Sequence, residues 1–480
     1  MDHLRECIVT YYITFTETPT LTSTLHILNS KPPTSLLRSV IFGLLFSLSV
    51  SSALAADYYM TVHGAGSKDG SSWEHAFASK NLFSILNETL LPGDNLYLSG
   101  PESQDAPHYG DLRGSISSSG TKEARKALIG VDRGFGVPKF VGKQKVRSYA
   151  TFRLTEGSSY WTIKNLRIEH REYGLTTDET EHKELLIEGI SVYSTRASGF
   201  VFANCDDSII RNCQSERYSE IGFQFSHSCD RIQIIDCLAD CTGTRDKDDP
   251  GHWKGLSDPV GFDFHSKRSD AAPNTDILMK NCIALNNRET KGKYPQGDGI
   301  KFERKNIGIT LDGCLTSRNR DAGYDLKGDN QILKNCKAIS NSRYGFKLWY
   351  DGVLTNCVSV GHGSREFMLP ATGDGERTIT ARNCTFHGTE KTDFIVGFES
   401  KGTTAVLEDC ILSFATDKKT FKAGHGKLVL NDSVTLKNAA DPENPPLYVA
   451  PTLPWYGQGN NFDNRTFGQA KGYSSRRVID

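Results

Sequence analysis

The chain has 480 residues, 37% hydrophobic and 24% charged, with 44 glycines. That is too much and too polar for one small core, and too well mixed for disorder, so a large soluble domain, elongated or divided, is expected. Lys plus Arg number 56 against 57 Asp plus Glu, so there is no overall basic field to gather nucleic acid by counterion release, and nucleic acid is not an expected partner.

In chain order the first feature is an apolar run, Val40-Ile-Phe-Gly-Leu-Leu-Phe-Ser-Leu-Ser-Val50, preceded by Lys31 and Arg38 and followed by Ser51-Ser-Ala-Leu-Ala-Ala56. It is about half a bilayer span. A positive flank, a short apolar stretch and small residues at Ala53-Leu54-Ala55 read as a secretory signal cut near Ala55 or Ala56, with a retained anchor as the alternative. Residues 1–38, rich in Thr, Ser and Leu, are unusual for a signal peptide, and a start codon placed too far upstream is the preferred explanation. The expected location is therefore secreted, periplasmic or cell-envelope, with no membrane contact after cleavage. Residues 1–55 are set aside from the fold.

Residues 56–160 hold Tyr58-Tyr-Met-Thr-Val62, the turn-rich Gly64-Ala-Gly-Ser-Lys-Asp-Gly-Ser-Ser-Trp73, a short helix expected around Leu82 to Leu90, and Pro92-Gly-Asp-Asn-Leu-Tyr-Leu98. From about residue 161 to 430 the chain repeats. In one column Asn, Asp or Gly precedes Cys: Asn212-Cys213, Asp236-Cys237, Asn281-Cys282, Gly313-Cys314, Asn335-Cys336, Asn356-Cys357, Asn383-Cys384 and Asp409-Cys410. The residues before each Cys alternate, as in Val406-Leu-Glu-Asp-Cys410, which is the short-strand pattern. An interleaved column reads Gly, apolar, variable, apolar: Gly199-Phe-Val-Phe202, Gly222-Phe-Gln-Phe225, Gly261-Phe-Asp-Phe264, Gly299-Ile-Lys-Phe302, Gly323-Tyr-Asp-Leu326 and Gly345-Phe-Lys-Leu348.

A period of roughly 22 to 26 residues with two or three short strands and no helical periodicity predicts a parallel β-helix, one repeat per coil. The column cysteines then face the interior as stacked free thiols. Cys205, Cys229 and Cys241 fall outside the column, and a bridge among them is left open. The segment before the repeats resembles the cap that covers the open end of secreted β-helices, where a sheet edge would otherwise stand unpaired. The tail, residues 431–480, carries Pro442, Pro445, Pro446, Pro451 and Pro454 and is expected to pack irregularly along the outside. The fold class is all-β, a right-handed parallel β-helix, expected as a monomer.

In the Gly column the variable residue sits between two inward apolar residues and so points outward. Its occupants, Val201, Gln224, Asp263, Lys301, Asp325 and Lys347, put four charges of alternating sign on successive rungs about 4.8 Å apart. Asp298 and Asp321 lie just upstream on the same rungs. The plain alternative is a solvated face on which Lys and Asp pair weakly. The chemical reading is that carboxylates offer hard oxygen ligands to calcium and that a Lys serves as a base when its pKa is lowered.

Asn319-Arg-Asp-Ala-Gly-Tyr-Asp-Leu326, followed one coil later by Tyr344-Gly-Phe-Lys-Leu348, resembles the active-site stretch of the family-nine polysaccharide lyases, calcium-dependent pectate lyases built as right-handed parallel β-helices. The resemblance implies an acidic polysaccharide as substrate, calcium held by Asp298, Asp321 and Asp325, with Asp263 a further candidate, and Lys347 as the base that removes the C5 proton of a uronate. Ala322 departs from the family pattern, which has an Asp there, and removes one ligand. Lys301 is the alternative base, and Trp349 and Tyr350 are candidates to stack on sugar rings. A uronate C5-epimerase and a non-catalytic glycan-binding or cell-envelope β-helix are the competing readings. Asn274-Thr-Asp276 and Gly361-His-Gly363 are similar to polygalacturonase catalytic elements but are expected on the wrong face. The insertion between Asp246 and Pro259 is read as a loop beside the cleft.

The signal reading has a direct check. N-terminal sequencing of the exported protein should start near Ala56 or Asp57, whereas cell-bound protein that retains residues 40–55 would overturn it.

Overall fold

The computed structural model describes residues 55–142, 150–242, 259–265, 272–288, 296–372, 375–416 and 420–436. The apolar run at 40–50, most of the 246–259 insertion and the Pro-rich tail lie outside these residues. Among the described residues no helix is long and apolar enough to cross a membrane.

Three parallel sheets of fifteen, twelve and twelve strands run the length of the domain, each strand pairing with its counterparts in the coils before and after. The chain is a right-handed parallel β-helix. One coil shows the plan: Ala322–Leu326 belongs to the sheet of the Gly column, Gln331–Lys334 to the fifteen-stranded sheet and Lys337–Ile339 to the third, after which Tyr344–Leu348 begins the next coil. The first strand, Asp57–Thr61, already pairs in register with Asn95–Ser99. The helical segment, Leu82–Ser84 continued by Ile85–Thr89, buries Leu82, Ile85, Leu86 and Leu90 against the same core.

The corner between the second and third sheets explains the Cys column. Asn212, Asp236, Asn281, Gly313, Asn335, Asn356, Asn383 and Asp409 all have φ between 51° and 67°, the left-handed region that Gly, Asn and Asp enter at least cost. The following Cys turns inward and is buried. Its thiol finds backbone carbonyls: Cys336 Sγ lies 3.3 Å from the oxygen of Lys334 and 3.5 Å from that of Leu311. A small, weakly polar side chain suits a tight corner where carbonyls converge. All the described cysteines, Cys205, Cys229 and Cys241 included, are buried and none is paired in a disulfide.

Inside the Gly-column sheet the aromatic residues stack. Phe202, Phe225, Phe264 and Phe302 form one ladder with centroid separations of 5.2, 4.6 and 4.0 Å. At the corner that leads into this sheet the interior is polar instead. Asn287 donates to Asn319 Oδ1 (2.8 Å), Asn319 to Asn341 Oδ1 (2.9 Å), and the Asn341 backbone N–H to His362 Nδ1 (3.0 Å), so the side-chain amides of Asn287 and Asn319 are each satisfied by the next coil, whereas Asn341 Nδ2 is left without a hydrogen-bond partner among the described residues. The column glycines are required there: a Cβ on Gly299 would lie 2.7 Å from the Asn319 side chain, and one on Gly345 2.0 Å from Ser359 Oγ.

A reduced thiol column sets an expectation. Titration of the denatured, unreduced protein should find the column cysteines reactive, and reductant should leave the melting temperature unchanged. Four or more disulfides found by peptide mapping would contradict the burial described above.

Candidate functional site

The outward positions of the Gly-column sheet form one continuous line. Strand pairing places Val201 beside Gln224, Gln224 beside Asp263, Asp263 beside Lys301, Lys301 beside Asp325 and Asp325 beside Lys347. The alternation of charge is therefore a stack of cross-strand neighbours. It is not a solvated face: Asp263 and Asp325 are each only 4% exposed, and the side chains of Lys301 and Lys347 keep 20% and 14% of their surface. Sunk so far, these charges must be matched by partners.

Two residues further along each strand a second column falls on the same face, since side chains alternate. It comprises His265, Glu303, Lys327 and Trp349, none of which was singled out from sequence beyond Trp349. Lys327 Nζ is 2.9 Å from both Glu303 oxygens, and Lys301 is 3.0 Å from Glu303 and 3.7 Å from Asp263. His265 Nδ1 lies 2.8 Å from Asp263 Oδ2. Burial works to raise the Asp263 pKa, but Lys301, with His265 and Lys327, outweighs it and holds the carboxyl below its usual value.

At the C-terminal end the two columns close around Asp325. Lys347 Nζ is 3.2 Å from Asp325 Oδ2 and 3.8 Å from Asp321 Oδ2. Trp349 Nε1 donates to Asp325 Oδ1 at 2.6 Å, which fixes the indole with the Lys347 and Lys327 ammonium groups 5.3 and 5.6 Å from its ring. Arg343, in the turn ahead of the strand, donates to Asp321 Oδ1 (3.1 Å) and to the Tyr344 hydroxyl (2.8 Å). Asp298 accepts the Ala322 amide N–H at 2.9 Å. Tyr350 follows in the chain, half-buried, and does not join this network.

The structure thus brings Asp298, Asp321, Asp325, Lys347 and Trp349 together, with Asp263 and Lys301 two and one rungs before Asp325. Arg343, Lys327 and Glu303 are further members. Three carboxylates on two adjoining coils repel one another. Burial, then Asp325 and Asp321, push Asp298 up to about 8, and burial raises Asp321 as well despite Lys347 and Arg343. Burial would strip Lys347 of its proton, but Asp325, Asp298 and Asp321 outweigh it and raise its pKa, so the ammonium is charged at neutral pH. Lys301 is raised as well, because Asp263 and Glu303 outweigh its burial.

The donor chemistry of the three aspartates, all hard oxygens with unrelieved repulsion, suits a hard divalent cation. Among the described residues, however, no three Asp, Glu, His or Cys side chains stand close enough to form a ready shell. Ala322 sits at the middle position of the acidic run, and Asp321 and Asp325 already answer to Arg343, Lys347 and Trp349.

In the two fragments similar to polygalacturonase elements Asn274 and His362 are interior, Asn274 bonded to Cys229 and Asn306 and His362 ending the asparagine ladder beside buried Glu366, while Asp276 is exposed outside the Gly-column strands. Neither the Asn274 nor the His362 side chain reaches the outward face.

No family model and no curated protein matches the chain. Among solved structures it is similar to pectate lyase Pel9A (14% identity, TM-score 0.39, 80% of this chain and 79% of that one). It is also similar to an alginate lyase from Paenibacillus sp. str. FPU-7 (13%, TM-score 0.36, 78% and 99%) and to the A-module of the Azotobacter vinelandii mannuronan C-5 epimerase AlgE6 (12%, TM-score 0.45, 72% and 91%). The fold assignment rests on the strand pairing of the chain itself.

The crowding of Asp298 gives a pH prediction. Its folded pKa lies above the unfolded value, so the protonated carboxyl stabilises the fold at low pH and that stability is lost as pH rises toward about 8. Asp298→Asn keeps an acceptor for the Ala322 N–H and cannot ionise. Between pH 6 and 9 the urea midpoint of the wild type should fall, and that of Asp298→Asn should fall less. Glu366, also raised to about 8 by burial, contributes equally to both proteins and cancels in the comparison. Parallel curves would contradict the crowding.

Proposed function

We propose that the protein is an exported polysaccharide lyase that cleaves a uronate-containing polymer by β-elimination on the outward face of the Gly-column sheet. The observation that carries this reading is the seating of Lys347 among Asp298, Asp321 and Asp325 with Arg343 at the rim and Trp349 alongside. β-Elimination next to a carboxylate needs positive charge on that carboxylate, a base for the C5 proton, and a proton for the departing oxygen.

Arg343, with 42% of its side chain exposed, is placed to receive the uronate carboxylate, and its planar fork suits bidentate pairing. Trp349, pinned by Asp325, offers a fixed ring edge to a sugar. Lys347 in its neutral form takes the C5 proton, and the ammonium so formed returns a proton to the departing oxygen as the C4–O bond breaks, with Lys301 as the alternative. Lys301 is the weaker candidate because it lies outside the stretch that carries the resemblance and its ammonium is already engaged by Glu303 at 3.0 Å and Asp263 at 3.7 Å. Calcium, if bound, would be held by Asp298 with Asp321 or Asp325, and would supply the charge that polarises the substrate carboxylate. Whatever neutralises those aspartates also removes what raises the Lys347 pKa, so basicity at Lys347 is tied to occupancy of the acidic cluster.

Polygalacturonate and alginate separate the readings. A lyase produces an ultraviolet-absorbing double bond, an epimerase changes uronate stereochemistry without cleavage, and a binding protein does neither. Lys347→Ala should lower kcat by at least 100-fold while leaving substrate binding within a fewfold, as expected for a group used in proton transfer. Lys301→Ala should retain most of the rate. Loss in Lys301→Ala alone would move the base one coil, and no absorbing product from either polymer would remove the proposal. Calcium binding is read separately by calorimetry: Asp298→Ala should weaken it at least tenfold, and no heat of binding to the wild type would remove calcium from the site.

A further inference from the structure

The first residues of the described domain are tied to a covered carboxylate. Ala55 is exposed and Ala56 half-buried, just ahead of strand Asp57–Thr61. The Ala56 N–H donates to Asp94 Oδ1 at 2.8 Å, and the Ala56 carbonyl accepts the Asn95 N–H at 2.9 Å. Ala56 is thereby fixed on both sides against the turn that leads into strand Asn95–Ser99. Asp94 closes that turn, its own N–H reaching the Leu91 carbonyl at 3.0 Å and its Oδ2 accepting the Leu91 N–H at 2.8 Å.

Asp94 is 4% exposed, yet its two oxygens meet neutral backbone N–H groups, and it forms no ion pair among the described residues. Lys126, 3% exposed, senses Asp94 without pairing with it: burial holds the lysine below its ordinary pKa and Asp94 only opposes that, while the ammonium stands 5.7 Å from the Trp161 ring. Asp57, the neighbouring acid, is exposed and accepts from Asn95 Nδ2 at 2.8 Å. A covered carboxylate is costly unless a cation meets it. The nitrogen at 2.8 Å from Asp94 is the one that would become charged if the chain were cut after Ala53-Leu54-Ala55, whose small residues occupy the two positions a signal-processing protease reads.

We infer that Asp94 is the seat of the mature N-terminus: the chain is cut between Ala55 and Ala56, and the new Ala56 α-ammonium pairs with the Asp94 carboxylate. The inference rests on the export reading and selects one of its two cut positions, since a cut after Ala56 would remove the residue that Asp94 holds. In the hydrolysis water adds its oxygen to the Ala55 carbonyl carbon and the C–N bond breaks. Both water protons end on the Ala56 nitrogen as an ammonium, and Ala55 leaves as a carboxylate. A neutral N–H···O bond is thus exchanged for a charge-assisted one at an already formed acceptor, which is the stronger kind. The domain is fastened at its first strand only once the leader is gone.

Residues 55–480 form a compact unit of their own, so chains starting at Ala56 and at Ala55 can be compared after release from a removable tag. The probe is the rate at which acetic anhydride labels the α-amine of the native protein at pH 7, read by peptide mapping. A free α-amine titrates at about 7.7–8.0, and a carboxylate in contact raises that and leaves less reactive amine. The Ala56 chain should therefore label about tenfold more slowly than the Ala55 chain, whose amine sits on an exposed residue. Asp94→Asn should bring the Ala56 chain to within a fewfold of the Ala55 chain, whereas Asp57→Asn should leave it slow. A merely structural Asp94 predicts equal labelling of the two chains before any substitution, and circular dichroism verifies that each variant is folded. Equal rates, or a slow rate that survives Asp94→Asn, overturn the inference, as does exported protein that begins at Asp57. A slow, Asp94-dependent amine together with protein that stays uncut in cells would leave the seat standing and sink the export reading.

Discussion

In-register stacking of parallel strands at about 4.8 Å is the constraint on which the rest of the molecule depends. Once each coil must lie directly on the last, a residue type that works at one corner must work at all of them. The left-handed turn at Asn212 recurs as Asp236, Asn281, Gly313 and Asn335, the buried thiol after it recurs, and the aromatic ladder from Phe202 to Phe302 recurs inside. The same constraint acts on the outside, where it places Lys347 over Asp325 and Asp325 beside Lys301 without any loop having to hold them.

The electrostatics follow from depth. A surface ladder of Lys and Asp contributes little because water screens it, but Asp263 and Asp325 are almost wholly covered. Each charge there is tied to a neighbour one rung away, and the pairs share partners: Lys327 answers to both Glu303 and Asp325. The acidic end is left with more negative than positive charge close by, which appears as the raised pKa values of Asp298, Asp321 and Lys347 together. A cluster so balanced holds its proton on Lys347.

Much of this was legible in the sequence because repetition writes the fold in columns. The Gly-apolar-variable-apolar rows named the outward ladder from Val201 to Lys347, and strand pairing has the same order. The cap helix near Leu82 was legible from its apolar spacing. Arg343 was not, because it stands in a turn outside both columns, and only the fold brings it to Asp321. Lys327, Glu303 and His265 could have been found by carrying the alternation two residues past each outward position, but the apolar rows ended before them. The interior ladder Asn287, Asn319, Asn341 was obscured because its spacing of 32 and then 22 residues follows coils of unequal length. Calcium came from the oxygen ligands of the column carboxylates and from the resemblance, and the side chains as placed answer first to Arg343, Lys347 and Trp349.

The account stands most directly on the contact between Asp325 and Lys347. A double-mutant cycle of Asp325→Asn and Lys347→Met, read by urea unfolding at pH 7, should give a coupling free energy of about 0.5–3 kcal/mol, the range for residues in one ion-pair network. If the two effects add to within about 0.3–0.5 kcal/mol, as they do for residues that share no partners, the rungs are not stacked in this register and the site built on them is wrong.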